Sequence, residues 1–427
     1  MPRSTPRRMA FMVALGLLLA PAFTLSAAAA DWRGFRGPDG LGVAADATLP
    51  VRWSENENVL WKAELPGAGA SSPIVLGDHI YLTCYSGFGE PGSRGGSIQD
   101  LRRHVVCLGR RDGRTVWAES VPSVLPEPER IRESHGYASN TPVTDGERLY
   151  VFLGKTGVFA FGLDGKRLWH ADVGSKTSGW GSAASPILTK DTVIVNASVE
   201  STSLIALDKA TGRERWRADG IKESWNTPIL AGAPDGKTEL VLAIFGQVLG
   251  FDPATGERLW SSDTDIRWYM VPSLVAHDGV VYCIGGRDGG GALAVRTGGR
   301  GDVTASHRLW AIKKGSNVPS PVYHDGHVYW VHEGGTAVCA DAKTGRIVYE
   351  EPLPRAGRVY ASPVLAGGKL YVFSRGGRGY VLPARPTFEL LATSELEGPG
   401  VFNASPVVAG NRLLVRVDRF LYCIGTE

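Results

Sequence analysis

Charge of one sign, long apolar runs and the small motifs of enzymes are what this 427-residue chain has least of. It has no Gly-x-Ser-x-Gly elbow and no Gly-x-Gly-x-x-Gly loop in a strand-to-helix setting, so Ser-His-Asp hydrolysis and dinucleotide binding have no foothold. The formal charge of +3 arises in the first thirty residues, where Arg3, Arg7 and Arg8 stand without an acid. Beyond them, basic and acidic side chains balance at 43 each, leaving no broad electrostatic footprint for nucleic acid or anionic lipid. No segment after residue 30 is long and apolar enough to span a membrane. With 43% hydrophobic residues and no low-complexity tract, disorder is excluded for most of the chain.

Turn residues and large aromatics are abundant instead, with 55 glycines, 26 prolines and 12 tryptophans. This composition favours one large all-β domain over two or three smaller ones. The first thirty residues read as a secretory signal. Pro2 to Arg8 are basic, Met9 to Leu25 are apolar apart from Pro21, and Ala28-Ala29-Ala30 offers a cleavage site before Asp31. A retained anchor is the alternative. No cysteine stands at the cleavage point, so a lipid-modified N-terminus is not supported. The mature chain is expected to be a monomer in the periplasm or outside the cell, with no stable membrane insertion.

A short phrase recurs along the chain: a small or hydroxyl residue, proline, then an apolar run. It occurs at Ser72-Pro73, Thr141-Pro142, Ser185-Pro186, Thr227-Pro228, Val271-Pro272, Ser320-Pro321, Ser362-Pro363 and Ser405-Pro406. After a first interval of 69 residues the prolines are 42 to 49 apart, the length of one propeller blade. Within a unit, three strands are followed by an Asp-x-x-Thr-Gly turn and a fourth strand carrying an aromatic. That aromatic is Trp117, Trp169, Trp216, Trp260, Trp310 or Tyr349, each expected to fill the wedge between blades.

The unit beginning at Pro406 has only three strands, while Val59-Leu60-Trp61-Lys62-Ala63 is a spare fourth strand near the other end. Pairing the two removes two exposed edges. The reading is therefore an all-β, eight-bladed propeller of four-stranded antiparallel blades, closed by an N-terminal strand that brings Trp61. Its divisions are a signal at 1–30, an N-terminal extension at 31–58 and the propeller at 59–427. A seven-bladed ring with one degenerate unit is the alternative. The two insertions of the first unit, Ser86–Arg103 and Pro122–Glu133, are expected to face solvent.

In this strand order the loops between blades, and those between second and third strands, emerge on one face around the channel. Function tends to sit on such loops. Inter-blade loops bring His135, Tyr137, Trp180, Trp225, Tyr269, Tyr360 and Phe402 to that face. The other loops bring Lys155, Glu200, Gln247, Arg287, His332, Glu333, Arg375 and Asp418. Aromatics among mixed charges suit a peptide, a sugar or a planar cofactor, while plugging of the channel is the structural alternative. No metal site is predicted: His327 and His332 end one strand about 17 Å apart, too far to share an ion. The cysteines read as small buried residues, Cys107, Cys339 and Cys423 occupying a third-strand slot that is alanine or glycine elsewhere. Their odd number leaves a thiol unpaired, and Cys84 with Cys107 is the one pair worth testing as a disulfide.

The Asp-x-x-Thr-Gly-x-x-x-Trp phrases and the Ser-Pro blade starts resemble the PQQ-like β-propeller repeat family over roughly residues 31–427. Asp31-Trp32-Arg33-Gly34-Phe35-Arg36-Gly37-Pro38 is similar to the start of many exported bacterial members. The resemblance implies the fold firmly and the activity weakly. One branch, the quinoprotein alcohol dehydrogenases, holds pyrroloquinoline quinone and calcium over the channel. Its vicinal cysteine pair and Cys-x-x-Cys-His haem site are missing here, and Glu200 is the nearest candidate by position for a calcium ligand. The other branch resembles BamB, a cofactor-free scaffold of outer-membrane β-barrel assembly, whose lipid-bearing cysteine is missing too. The expectation is a non-catalytic, BamB-like scaffold of the cell envelope that binds a protein or polymer partner and no cofactor. A divergent PQQ-dependent oxidoreductase and a carbohydrate-binding propeller are the alternatives.

Overall fold

The second and third strands of each unit are nearly continuous apolar runs because blades cover both their faces. His79–Ser86 and Ser203–Asp208 are buried along almost their whole length, whereas the outer strands Thr115–Pro122 and Arg167–Ala171 stay largely exposed. In the computed structural model, which describes Met1 and residues 31–90, 96–287, 290–396 and 400–426, these units form eight four-stranded antiparallel blades in a ring. The expected signal segment lies outside the described residues. Blades 1 to 7 occupy 74–122, 143–171, 187–219, 229–263, 275–312, 322–352 and 364–395. Blade 8 takes three strands from 407–424, and Val59–Glu64 pairs antiparallel with Phe420–Ile424 as its fourth. Helix is confined to single turns such as Ser198–Ser201. The core is a circular series of apolar layers, one at each blade interface.

The Ser/Thr-Pro phrase has a structural reason. At the head of the inner strand of blades 1 to 7 the backbone N–H donates to the hydroxyl oxygen at the same place in the next blade. The links run Ser72 to Thr141, Thr141 to Ser185, Ser185 to Thr227 and Thr227 to Ser273, at 2.9–3.1 Å. They continue from Ser273 to Ser320, Ser320 to Ser362 and Ser362 to Ser405, at 2.9–3.0 Å. In blade 5 the hydroxyl comes from Ser273, which precedes Leu274, so the phrase at Val271-Pro272 is two residues out of step with the other seven.

The outer aromatics lock neighbouring blades. The indole N–H groups of Trp117, Trp169, Trp216 and Trp310 donate to carbonyls of the following blade, at Leu163, Lys209, Pro253 and Ala342. Each ring lies on the turn glycine of that blade. A methyl on Gly212 or Gly345 would fall 2.7 Å from Trp169 or Trp310, and one on Gly113 as close to Trp61. Blade 5 replaces its turn with residues 297–307, so Trp260 has no such seat; its N–H bonds Glu239 at 2.7 Å instead. Tyr349 packs edge-on to Phe388. Directly opposite these aromatics stand Cys107, Ala160, Ala206, Gly250, Ala294, Cys339 and Cys423, which explains the small third-strand slot. All five cysteines are free. Cys84 faces His104 and Cys107 faces Tyr81, three residues apart in register, so the pair offered as a disulfide cannot meet.

Residues 31–48 lie across the mouth that carries the turns between first and second strands. Gly77 N–H donates to Asp31 in blade 1, Thr144 N–H to Arg33 O in blade 2, and Val43–Ala44 pair in parallel with Leu365–Ala366 of blade 7. The segment therefore spans the ring from blades 1 and 2 to blades 6 and 7 as a plug. Trp53 then stacks on Tyr371 and Phe373.

Gly212 has φ of +73° beneath the Trp169 ring. Gly212→Ala should cost roughly 1–3 kcal/mol of stability through strain and overpacking. Leu168→Ala, on the exposed outer strand beside it, should stay within about 0.5 kcal/mol. Chemical denaturation of the two variants checks the contrast.

Candidate binding face

The opposite mouth is covered by the insertion of the first unit. Arg130 donates to Gly179 O and lies 4.9 Å over the Trp180 ring, on the side of blades 2 and 3. A few residues on, the carbonyl of Ser134 accepts from Arg375 at 3.0 Å and Asn403 at 2.9 Å, between blades 7 and 8. Blades 3 and 7 face each other across an eight-bladed ring, so residues 130–135 form a roof spanning its diameter. His135 adds a second tie to the same loop as Arg130: its Nε2–H donates to Trp180 O and its Nδ1 accepts from Ser139. Burial, aided by the charge of Arg375, lowers its pKa to about 4, so it is neutral at physiological pH.

The expectation that both insertions face solvent is overturned in part. Ile131, Tyr137, Phe88 and Leu101 pack together with Tyr85 into a small core of their own. Beneath the roof lies a charged cluster. Arg103 pairs with Glu127 at 2.7 Å, both nearly buried, and also donates to Tyr137 O and Thr156. Lys155 donates to Pro126 O. Glu200, on the single helical turn after the second strand of blade 3, has one carboxylate oxygen with no partner.

Four residues expected on an open face are thus covered: Tyr137, Lys155, Glu200 and Trp225. The first three lie under the roof. Trp225 is held by its N–H to Gly181 O and by the edge of Tyr269. Phe402, stacked near Phe373, and Asp418 are buried as well. Trp180 remains 38% exposed and Tyr269 half-buried, 6.5 Å apart. Trp268, which the sequence reading passed over, adjoins Tyr269 at 4.8 Å and carries Arg287 at 5.7 Å. Arg130, also passed over because it sits in an insertion, completes a strip running Arg130, Trp180, Tyr269, Trp268, Arg287. Tyr360 lies under Arg375 at 4.4 Å, across the roof from this strip. His332 and Glu333 pair with each other at 3.4 Å beyond blade 5, and Gln247 binds Asp263 beside a cleft lined by Lys222 and Phe245. The structure therefore gathers the aromatics over blades 3 to 5 and leaves His332, Glu333 and Gln247 outside that group. Among the described residues no group of three or more His, Cys, Asp or Glu is placed to hold a metal ion.

The family described as outer membrane protein assembly factor BamB matches residues 97–219, 200–301 and 245–415. This chain belongs to that family. A BamB of Burkholderia pseudomallei (strain K96243) is 25% identical over 366 residues, covering 83% of this chain and 84% of the relative. Among solved structures, BamB from Moraxella catarrhalis superposes with a TM-score of 0.61 at 15% identity, covering 86% and 96% of the two chains. Quinohemoprotein alcohol dehydrogenase from Comamonas testosteroni gives 0.65 at 12% identity, covering 93% and 81%. At such identities the structural likeness establishes the propeller and leaves activity to the site.

In this BamB-family chain the roof imposes its burial on Glu200. Desolvation, with a smaller push from Glu127, raises its pKa from 4.5 to about 7. The folded state then holds a proton more tightly than the unfolded chain between those values, so stability declines as pH rises from about 4.5 to about 7 and stays reduced above. Glu200→Gln removes the charge and keeps the shape. It should be more stable than the parent at pH 8 by roughly 1–3 kcal/mol, at about 1.4 kcal/mol per pKa unit, with the gap closing towards pH 5. Denaturation at both pH values is the check, and an equal gap at each would show that Glu200 titrates normally.

Proposed function

We propose that this chain is a non-catalytic scaffold, exported to the bacterial periplasm, that holds a protein partner of outer-membrane assembly on its roofed face. The roof carries this reading. A planar quinone stacked over the channel would have to displace Ser134 and His135, and Arg375 is already engaged by Ser134 O and Asn403. The residues at that mouth do not fit a quinone. Covering the channel leaves the partly exposed strip Arg130, Trp180, Tyr269, Trp268, Arg287 beside the roof. Tryptophan, tyrosine and arginine are the residues that dominate protein–protein hot spots, where flat rings desolvate at low entropic cost. The name shared by the family and the Burkholderia relative supplies the class of partner.

A sugar-binding reading has less support. The rings of Trp180 and Trp268 are tilted 45° and 39° to Tyr269 and present no flat platform for a pyranose face.

Two measurements test the proposal. A photo-crosslinking residue in place of Trp180, in the native host, should give adducts with an outer-membrane assembly protein, identified by mass spectrometry. The same residue in place of Leu168, exposed on the outer strand of blade 2, should not. Trp180→Ala should lower partner affinity about tenfold or more, as a hot-spot truncation does, with little change in melting temperature. Titration of residues 31–427 with pyrroloquinoline quinone and calcium should show no saturable binding. Binding with dye-linked alcohol oxidation, or equal adducts from both positions, would overturn the scaffold reading.

A further inference from the structure

Among the described residues three arginines are buried, Arg36, Arg103 and Arg416, each exposed by 4% or less. Two have acidic company. Arg103 is paired with Glu127. Arg416 donates to the carbonyls of Ser71, Thr83 and Asp418, close enough to the Asp418 carboxylate to stabilise its charge. Arg36 is different. It makes no ion pair, and burial alone acts on it, drawing its pKa down to about 9. A buried guanidinium with no counter-charge is costly in a low-dielectric interior, yet the plug is shaped to hold it there. Arg36 itself has φ of +63°, and a methyl on Gly42 would strike its Nη2 at 2.6 Å.

The donors of Arg36 are only partly used. Nη1 donates to Pro363 O at 3.2 Å, while Nη2 donates to Leu41 O and Pro321 O. Nε is buried without a partner. Pro321 and Pro363 directly follow Ser320 and Ser362, two members of the hydroxyl belt. A hydroxyl has one hydrogen to donate and two lone pairs. The oxygens of Ser320 and Ser362 accept the N–H groups of Ser273 and Ser320, and neither hydroxyl hydrogen finds an acceptor among the described residues. A cation without a counter-charge, with a free N–H, is therefore tied to the carbonyls of the two residues that follow belt members with unspent O–H groups.

We propose that the axial channel holds a small monovalent anion, chloride in solution, against Arg36, bound by its Nε–H and by hydroxyl hydrogens of the belt. The site selects for size and charge. Carbonyls already occupy the ends of the guanidinium fork, so the parallel pair of N–H bonds that carboxylates and phosphates require is not on offer. A single spherical acceptor is satisfied by one N–H and neighbouring O–H groups. The site is independent of whatever binds to the roofed face, and its role is to neutralise the plug's charge and hold residues 31–48 in the mouth of the ring.

Bromide is the probe. Crystals of residues 31–427 grown in sodium bromide should show an anomalous peak within about 3.5 Å of Arg36 Nε, the reach of a hydrogen bond to a large anion. An ordered water there with no bromine signal overturns the proposal. In solution, sodium chloride should replace sodium gluconate at constant ionic strength. The melting temperature should then rise by about 1–3 °C per tenfold chloride above the dissociation constant, and Arg36→Met should abolish that rise. A rise of the same size in Arg36→Met, or none in the parent, overturns it equally. If Arg36→Met does not fold, the bromide peak in the parent protein decides alone.

Discussion

A backbone N–H that faces the axis of a propeller has no partner within its own sheet, and the way it is satisfied fixes how blades sit beside each other. Here a hydroxyl oxygen of the next blade accepts it, seven times in succession from Ser72 to Ser405. Each link is worth on the order of 1 kcal/mol net, but leaving the N–H buried and unpaired would cost more. The bond is directional, so it sets the angle between neighbours. Once that angle is set, the outer tryptophans other than Trp260 meet the turn glycine of the following blade, and the apolar layers between blades close up. The proline beside the hydroxyl contributes by having no N–H of its own to satisfy and by fixing its φ.

Belt and wedge produce a ring, and a ring has a channel. The chain fills both of its mouths with segments that belong to no blade. The plug spends main-chain hydrogen bonds on blades 1, 2 and 7, and the roof spans from Gly179 to Asn403. Burial under these lids creates the unusual electrostatics of the molecule: His135 with its lowered pKa, the Arg103–Glu127 pair, Glu200 with its raised pKa and unpaired Arg36. The lids also leave aromatic and arginine side chains, rather than an opening, at the rim of the roofed mouth.

The ring was legible in the sequence because the blades share two devices. A hydroxyl stands at the head of each inner strand, and in blades 1 to 4 and 6 a turn glycine receives the neighbour's indole, so both recur at blade length. The reading slipped at Val271-Pro272, where the proline was followed although the hydroxyl of Ser273 makes the contact. The small residue opposite each tryptophan was equally visible, through Ala206, Cys107 and Cys423 in equivalent slots. The site was legible only in part. Trp180 and Tyr269 lie in inter-blade loops whose place the repeat dictates, and they do share a face. Tyr137, Lys155, Glu200 and Trp225 belong to that face in the repeat too, but the first three are buried under the roof, which is invisible in the sequence because residues 122–137 have no counterpart in the other units. Repetition reports what is shared. Arg36 and Arg130 lie in unique segments, and no periodicity could say which way they turn.

The last blade joins Glu64 to Arg419, 355 residues apart in sequence. During synthesis, residues 59–64 emerge early and have no strand to pair with until 420–424 arrive. Seven blades can form in order, each from contiguous chain, while the eighth waits. An early strand with free N–H and C=O groups is an invitation to pair wrongly, and contacts of such sequence separation are slow to form. Lys62, set over the rings of Phe420 and Tyr422 in the finished blade, places a charge on that waiting strand. The residue that seats this strand against its late partner is thus also the charge that a strand with an open edge needs against wrong pairing.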